Sequence, residues 1–197
     1  MKKFFILIVS IFIINTNLHS YSTDPKEFVS ELVNDAIEKL SNKQLTDQEK
    51  ADFVEELALN NVDIKALSLY TLGEIRKSSS EEDLLKYQDA FKKYFLKTLT
   101  SRLNDYSSGK FEIIGVDQKS SNYTIVNSKM TPKDNGPEIK VDWRIYTKNP
   151  DKPLIRDLIV EGLSLARTQK EEFASILSSN NNDISSLTQK LRSFVDN

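Results

Sequence analysis

Asp142 and Asp157 are the two carboxylates of this chain best placed for chemistry. Both fall in segments patterned as β-strands. A carboxylate paired with a tyrosine in an apolar cavity can take a proton from the carbon beside a carbonyl. Each also has a structural reading. Asp142 would pair with a charge on a neighbouring strand, and Asp157 would tie down a turn or a helix end. The structural reading is the stronger, because carboxylates perturbed for function are a minority. Imidazole and thiol chemistry have almost no representation. The sequence has no cysteine and a single histidine, His19. Its five glycines, Gly73, Gly109, Gly115, Gly136 and Gly162, are too scattered to cradle a phosphate, and no phosphate loop, Rossmann pattern, calcium loop or nucleophile elbow is present.

The position of that histidine removes it from consideration. The chain opens Met1-Lys2-Lys3, runs apolar from Phe4 to Ile14 with one break at Ser10, and turns polar to Ser20-Tyr21-Ser22. Such an apolar run is too short for the ~20 residues a membrane-crossing helix needs. The charged start, short apolar middle and small residues at the end read as a secretory signal over residues 1–22. Cleavage is expected after Ser22, with Ser20 as the alternative. His19 leaves with the signal, so a His-dependent triad, a histidine-bound metal and a Cys–His dyad are all ruled out for residues 23–197. Any catalysis would rest on carboxylates, lysine or tyrosine. That argues against an enzyme without excluding one.

With 197 residues, 39% hydrophobic and 28% charged, the chain has the composition of one globular domain. Its net charge of −2 offers no basic face for nucleic acid, and loss of Lys2 and Lys3 makes it two units more negative.

The elements follow from punctuation and period. No proline interrupts residues 26–131, whereas Pro132, Pro137, Pro150 and Pro153 crowd one later stretch. Long helices therefore belong to the first half and turns to the second. Asp24-Pro25 with Glu27 starts a helix whose apolar face is Phe28, Leu32, Val33, Ala36 and Leu40. Thr46 with Glu49 forms a capping box for a second helix, and Asp63 caps a third reaching Ile75. Ser79 with Glu82 is expected to open the longest helix, with Leu84, Tyr87, Phe91, Tyr94, Phe95, Leu99, Leu103 and Tyr106 on one face. Glu82–Lys86 and Asp89–Lys93 pair on the other.

After Gly109 the period becomes that of strands: 111–116, 123–130, 138–147 and 154–160. The third alternates strictly, placing Ile139, Val141, Trp143 and Ile145 opposite Glu138, Lys140, Asp142, Arg144 and Tyr146, as in an antiparallel sheet with one wet face. The fourth alternates little and reads as covered on both sides. Helices from Ser164 and from Asp183 close the chain. This order predicts an α+β domain, with a curved antiparallel sheet of about four strands covered by N-terminal and C-terminal helices.

Three blocks carry a family resemblance. Leu72-Gly73-Glu74-Ile75-Arg76-Lys77-Ser78, with Phe91 and Phe95 following, resembles a helical segment of the MlaC-type periplasmic phospholipid-binding proteins, also called toluene-tolerance auxiliary components. Val141-Asp142-Trp143-Arg144 resembles their sheet strand. Asp157-Leu158-Ile159-Val160-Glu161-Gly162-Leu163-Ser164 is similar to their D-x-x-x-E-G-[VL]-S signature. Ile75 stands where an aromatic is usual, and Pro153 where a strand aromatic is common. The resemblance spans nearly all of residues 23–197. It implies an NTF2-like cone that takes acyl chains inside and leaves the head group in solvent. It also implies shuttling between an outer-membrane lipoprotein complex and an inner-membrane ABC transporter, maintaining outer-membrane lipid asymmetry.

The resulting expectation is a monomeric periplasmic phospholipid carrier with no catalytic residue, cofactor, metal or nucleic-acid partner. Its pocket lining would be drawn from Leu69, Leu72, Phe91, Phe95, Leu99, Ile139, Val141, Trp143, Ile145, Leu158, Val160 and Leu163. From pattern alone these residues serve equally well as closed core. A carrier of hopanoid or another hydrophobic molecule on the same fold is the nearest alternative. An NTF2-like enzyme acting on a hydrophobic substrate and a scaffold with a closed core are the others.

Overall fold

A computed structural model describes residues 20–103, 109–132 and 136–197. Most of the expected signal segment, through His19, and the helical position Tyr106 lie outside the described residues.

Among the described residues, six α-helices and a five-stranded antiparallel sheet make up the fold. The helices are α1 (Pro25–Ser41), α2 (Asp47–Asn61), α3 (Ile64–Thr71), α4 (Glu81–Leu103), α5 (Leu165–Ser178) and α6 (Ile184–Asp196). The strands are β1 (Gly109–Ser120), β2 (Tyr123–Pro132), β3 (Ile139–Tyr146), β4 (Leu154–Val160) and β5 (Leu163–Ser164), paired in chain order. The sheet is open and curved. β5, two residues long, is the strand that sequence pattern did not supply.

Local chemistry sets the helix starts. Asp24 accepts from the backbone of Lys26 and Glu27, with Pro25 just inside the helix. Thr46 and Glu49 form the reciprocal capping box. The cap of α4 falls one residue later than Ser79: Ser80 Oγ accepts from Asp83 N at 3.1 Å, while Ser79 Oγ donates to Ile75 O at 2.9 Å. The helix expected to reach Ile75 stops at Thr71. Gly73, at φ +62°, turns the chain into a short 3-10 turn over Gly73–Lys77.

β4 explains its own poor alternation. Arg144 pairs with Asp157 but Ile145 pairs with Ile155, so Arg156 is an extra residue, a β-bulge. The bulge turns Ile155 and Leu158, three apart, onto the same face, where both join one apolar cluster. Asp157 is thereby directed to the opposite face, beside Arg144. The strand is bulged, and it is covered on both faces as expected: none of its residues is exposed, with Ile155 buried on one face and Asp157 on the other. Glu161 and Gly162, at φ 49° and 82°, form the two-residue turn into β5, which needs positive φ at both positions. A Cβ on Gly162 would meet nothing within 4 Å, so backbone conformation alone is what glycine supplies there.

The interior divides in two. A sheet-side cluster packs Phe28, Val29, Leu32 and Val33 of α1 against Val126, Ile145 and Ile155. A helical cluster gathers side chains from α3 through α6, centred on Tyr87, Phe91, Phe173 and Leu187. Val62, between α2 and α3, packs against both.

Candidate functional site

The two carboxylates singled out for chemistry are both engaged in hydrogen bonds within the fold. Asp157 is buried, its side chain 4% exposed, and it accepts from three donors: Arg144 Nη1 at 3.1 Å, Ser164 Oγ at 2.6 Å and the Ala166 backbone at 2.9 Å. It ties β4 to the start of α5. Asp142 accepts from Asn127 Nδ2 at 2.8 Å on the neighbouring strand, an amide rather than the expected charge. Among the described residues, no group of three or more Asp, Glu, His or Cys side chains could hold a metal ion.

The apolar residues expected to line a pocket fall into distinct places. Leu72, Phe91 and Phe95 belong to the helical cluster, with the Phe91 and Phe95 rings stacked 6.2 Å apart. Trp143, Ile145 and Leu158 belong to the sheet-side cluster. Trp143 Nε1 donates to Ser128 Oγ at 2.9 Å, which satisfies the one polar atom of that ring. Ile139, Val141 and Val160 extend the same sheet face beyond the closed cluster and are half-buried, as are Leu69 and Leu99. Leu163 lies past the turn, opposite Val160, and is 69% exposed. The twelve positions therefore divide among the helical cluster, the sheet-side cluster, the sheet face beyond it and an exposed turn.

The two clusters meet at a seam held by a short backbone contact. Val62 forms a parallel bridge with Ile155, and Asp63 N donates to Ile155 O at 2.9 Å. Beside it Asp63 takes Arg156 Nη2 at 2.8 Å and Nε at 2.9 Å, while the Arg156 guanidinium lies 3.3 Å from the Tyr146 ring centre. This Asp63 carboxylate also caps α3 through Ala66 N. One side chain thus joins the helical layer to the sheet.

A groove of about 470 Å³ opens to solvent at this seam, bounded by the end of α2, α3, α4 and the β3–β4 turn. Its apolar lining comes from Val62, Ile64 and Leu154, with Leu59 (45% exposed) and Leu85 (60% exposed) also facing it. None of the twelve expected positions lines it. Val62 was missed because Asn60-Asn61 reads only as a helix stop. The residue that follows becomes important only through its partner at 155, which local pattern cannot supply.

A family model described as MlaC protein matches residues 30–193. The chain belongs to the MlaC family. Among solved structures it is similar to the phospholipid-binding protein from Ralstonia solanacearum, determined in complex with a phospholipid. The two share 20% identity and a TM-score of 0.71, over 85% of this chain and 94% of that one. That likeness establishes the shared fold. A search of curated proteins finds no match. Among the described residues, no helix of this MlaC-family chain is long and apolar enough to cross a membrane. Membership of the MlaC family points to a binding and transport protein rather than an enzyme.

Proposed function

We propose that this protein is a periplasmic phospholipid carrier that holds acyl chains between its sheet-side and helical apolar clusters. It would shuttle lipid between an outer-membrane lipoprotein complex and an inner-membrane ABC transporter, maintaining outer-membrane lipid asymmetry. The observation that carries the reading is the seam at Val62, where two apolar layers meet beside an open groove. MlaC membership and the phospholipid bound to the Ralstonia solanacearum protein support it.

The energetics suit a container without reactive groups. Withdrawing one acyl chain of ~16 carbons from water is worth on the order of 12 kcal/mol at ~0.8 kcal/mol per methylene. A chain entering the seam replaces contacts between two apolar layers with contacts to itself, so the layers lose little by separating. Ile139, Val141 and Val160 lie on the same sheet face as Trp143 and Leu158 and would extend the acyl track. The N-terminal segment supplies export to the periplasm. The acidic net charge disfavours lingering on anionic leaflets, which suits a carrier that must leave.

Transfer between vesicles tests this reading. The protein is expected to move fluorescent phospholipid from donor to acceptor vesicles at a rate proportional to its concentration. Transfer no faster than in protein-free controls would overturn it.

A further inference from the structure

We propose that the groove at the Val62 seam is the head-group subsite, and that its lysines make the carrier prefer anionic phospholipids over zwitterionic ones. This inference rests on the phospholipid-carrier reading and adds a selectivity to it.

Three lysines, Lys65, Lys92 and Lys152, line the groove together with two carboxylates, Asp63 and Asp89. Both carboxylates are already engaged. Asp63 holds Arg156 at 2.8 Å, and Asp89 holds Lys93 at 2.9 Å. Among the described residues, none of the three lysines is in an ion pair. The groove therefore presents uncompensated positive charge on a chain whose net charge is −2. Its volume falls in the range of small-ligand sites, roughly 300–1,000 Å³.

The mixture of groups matches an amphiphile. Val62 lines the groove and packs against both apolar clusters, so it would lead an acyl chain from the groove toward the interior. A phosphate at the mouth would meet the lysines. No arginine lines the groove, so the bidentate fork that reads head-group shape is missing. Lysines on flexible stems read charge instead. Selection would then follow the net charge of the head group, not its outline, and would weaken as salt screens it.

The test uses the full mature chain and two variants, K65Q/K92Q/K152Q and K65E/K92E/K152E. All three positions are exposed, so both variants should fold. Each protein is loaded from vesicles of equal phosphatidylglycerol and phosphatidylethanolamine, and bound lipid is counted by mass spectrometry. The unaltered chain should be enriched about threefold in phosphatidylglycerol at low salt, the effect of a fraction of a kcal/mol from exposed charges. The glutamine variant should carry as much lipid in the vesicle ratio, and the glutamate variant should favour phosphatidylethanolamine. A glutamine variant that keeps the original enrichment, or an unaltered chain that loads both lipids equally, would overturn the proposal while leaving the carrier reading intact. An unaltered chain that takes up no phospholipid would overturn both. Lysine-dependent stabilisation of the lipid-free chain by inorganic phosphate alone would assign the groove to a free anion and overturn the head-group assignment.

Discussion

Arg144 on β3 and Asp157 on β4 face each other across the sheet, with Nη1 3.1 Å from Oδ2, on the side away from Trp143. The same carboxylate receives Ser164 and the Ala166 backbone, so it holds the first turn of α5 against the sheet. Three donors occupy it, and its role is to fix a strand–helix junction.

Asp157→Ala should therefore destabilise the fold by about 2–4 kcal/mol, the cost of stranding a partly buried partner and two further donors, moderated by the 37% exposure of the Arg144 side chain. Asp142→Ala, which loses one bond to Asn127, should cost about 1 kcal/mol. Thermal unfolding of both variants checks the contrast. Equal losses would mean that the two carboxylates do the same work.

The absence of cysteine makes the seam easy to lock. Val62 and Ile155 are bridge partners, so V62C/I155C should form a single disulfide on oxidation. The oxidised protein should lose lipid uptake from vesicles, and reduction should restore it. Uptake unchanged in the oxidised form would show that acyl chains reach the interior elsewhere.

Stability should be nearly flat from about pH 6 to 8, since His19 is the only histidine and precedes the described domain. Glu49 and Asp183 carboxyls are held below the usual range, each chiefly by a backbone N–H at a helix start. Lowered values contribute stability above the unfolded-state pKa, near 4 for these groups, and that contribution is lost as pH falls through the folded value. Burial raises the Tyr87 and Tyr21 hydroxyls, and the bond to Asp35 raises Tyr21 further. Their contribution is complete below about pH 10 and is lost as pH rises through the folded values. A pH series of melting temperatures should show a plateau between an acid and an alkaline decline. A midpoint transition near pH 6.5 would contradict it.

Tyr21 bears on where the proposed signal would end. Its ring packs edge-on to Phe28 at 6.2 Å, and its hydroxyl donates to Asp35 at 2.9 Å. Cleavage after Ser22 would discard these contacts, whereas cleavage after Ser20 keeps them. The intact mass of the exported protein is expected to correspond to a chain beginning at Tyr21. A mass beginning at Thr23 would favour the other site.

Features set by near neighbours were legible in the sequence. The Thr46–Glu49 box, the Glu82–Lys86 and Asp89–Lys93 pairs, and the alternation from Ile139 to Ile145 each depend on residues within one turn or one pleat. The division of the interior was not legible. Phe91 and Trp143 are equally apolar, yet they belong to different clusters because α4 packs with α6 and β3 with α1 and its strand neighbours. The Arg156 bulge inverts which side of β4 each residue takes, and one inserted residue leaves no compositional trace. Leu163 sits in a signature block, but its exposure follows from the two positive-φ residues before it. The groove was hidden for the same reason: Leu59, Lys65, Leu85 and Lys152 lie on four segments that only the fold brings together.

Native mass spectrometry of the protein, produced with its N-terminal segment and purified without detergent, tests whether the two apolar layers hold phospholipid. The expected spectrum shows a complex heavier than the bare chain by one phospholipid, which releases that lipid on denaturation. A spectrum showing only the bare chain, or a bound mass that denaturation identifies as something other than a phospholipid, would contradict it.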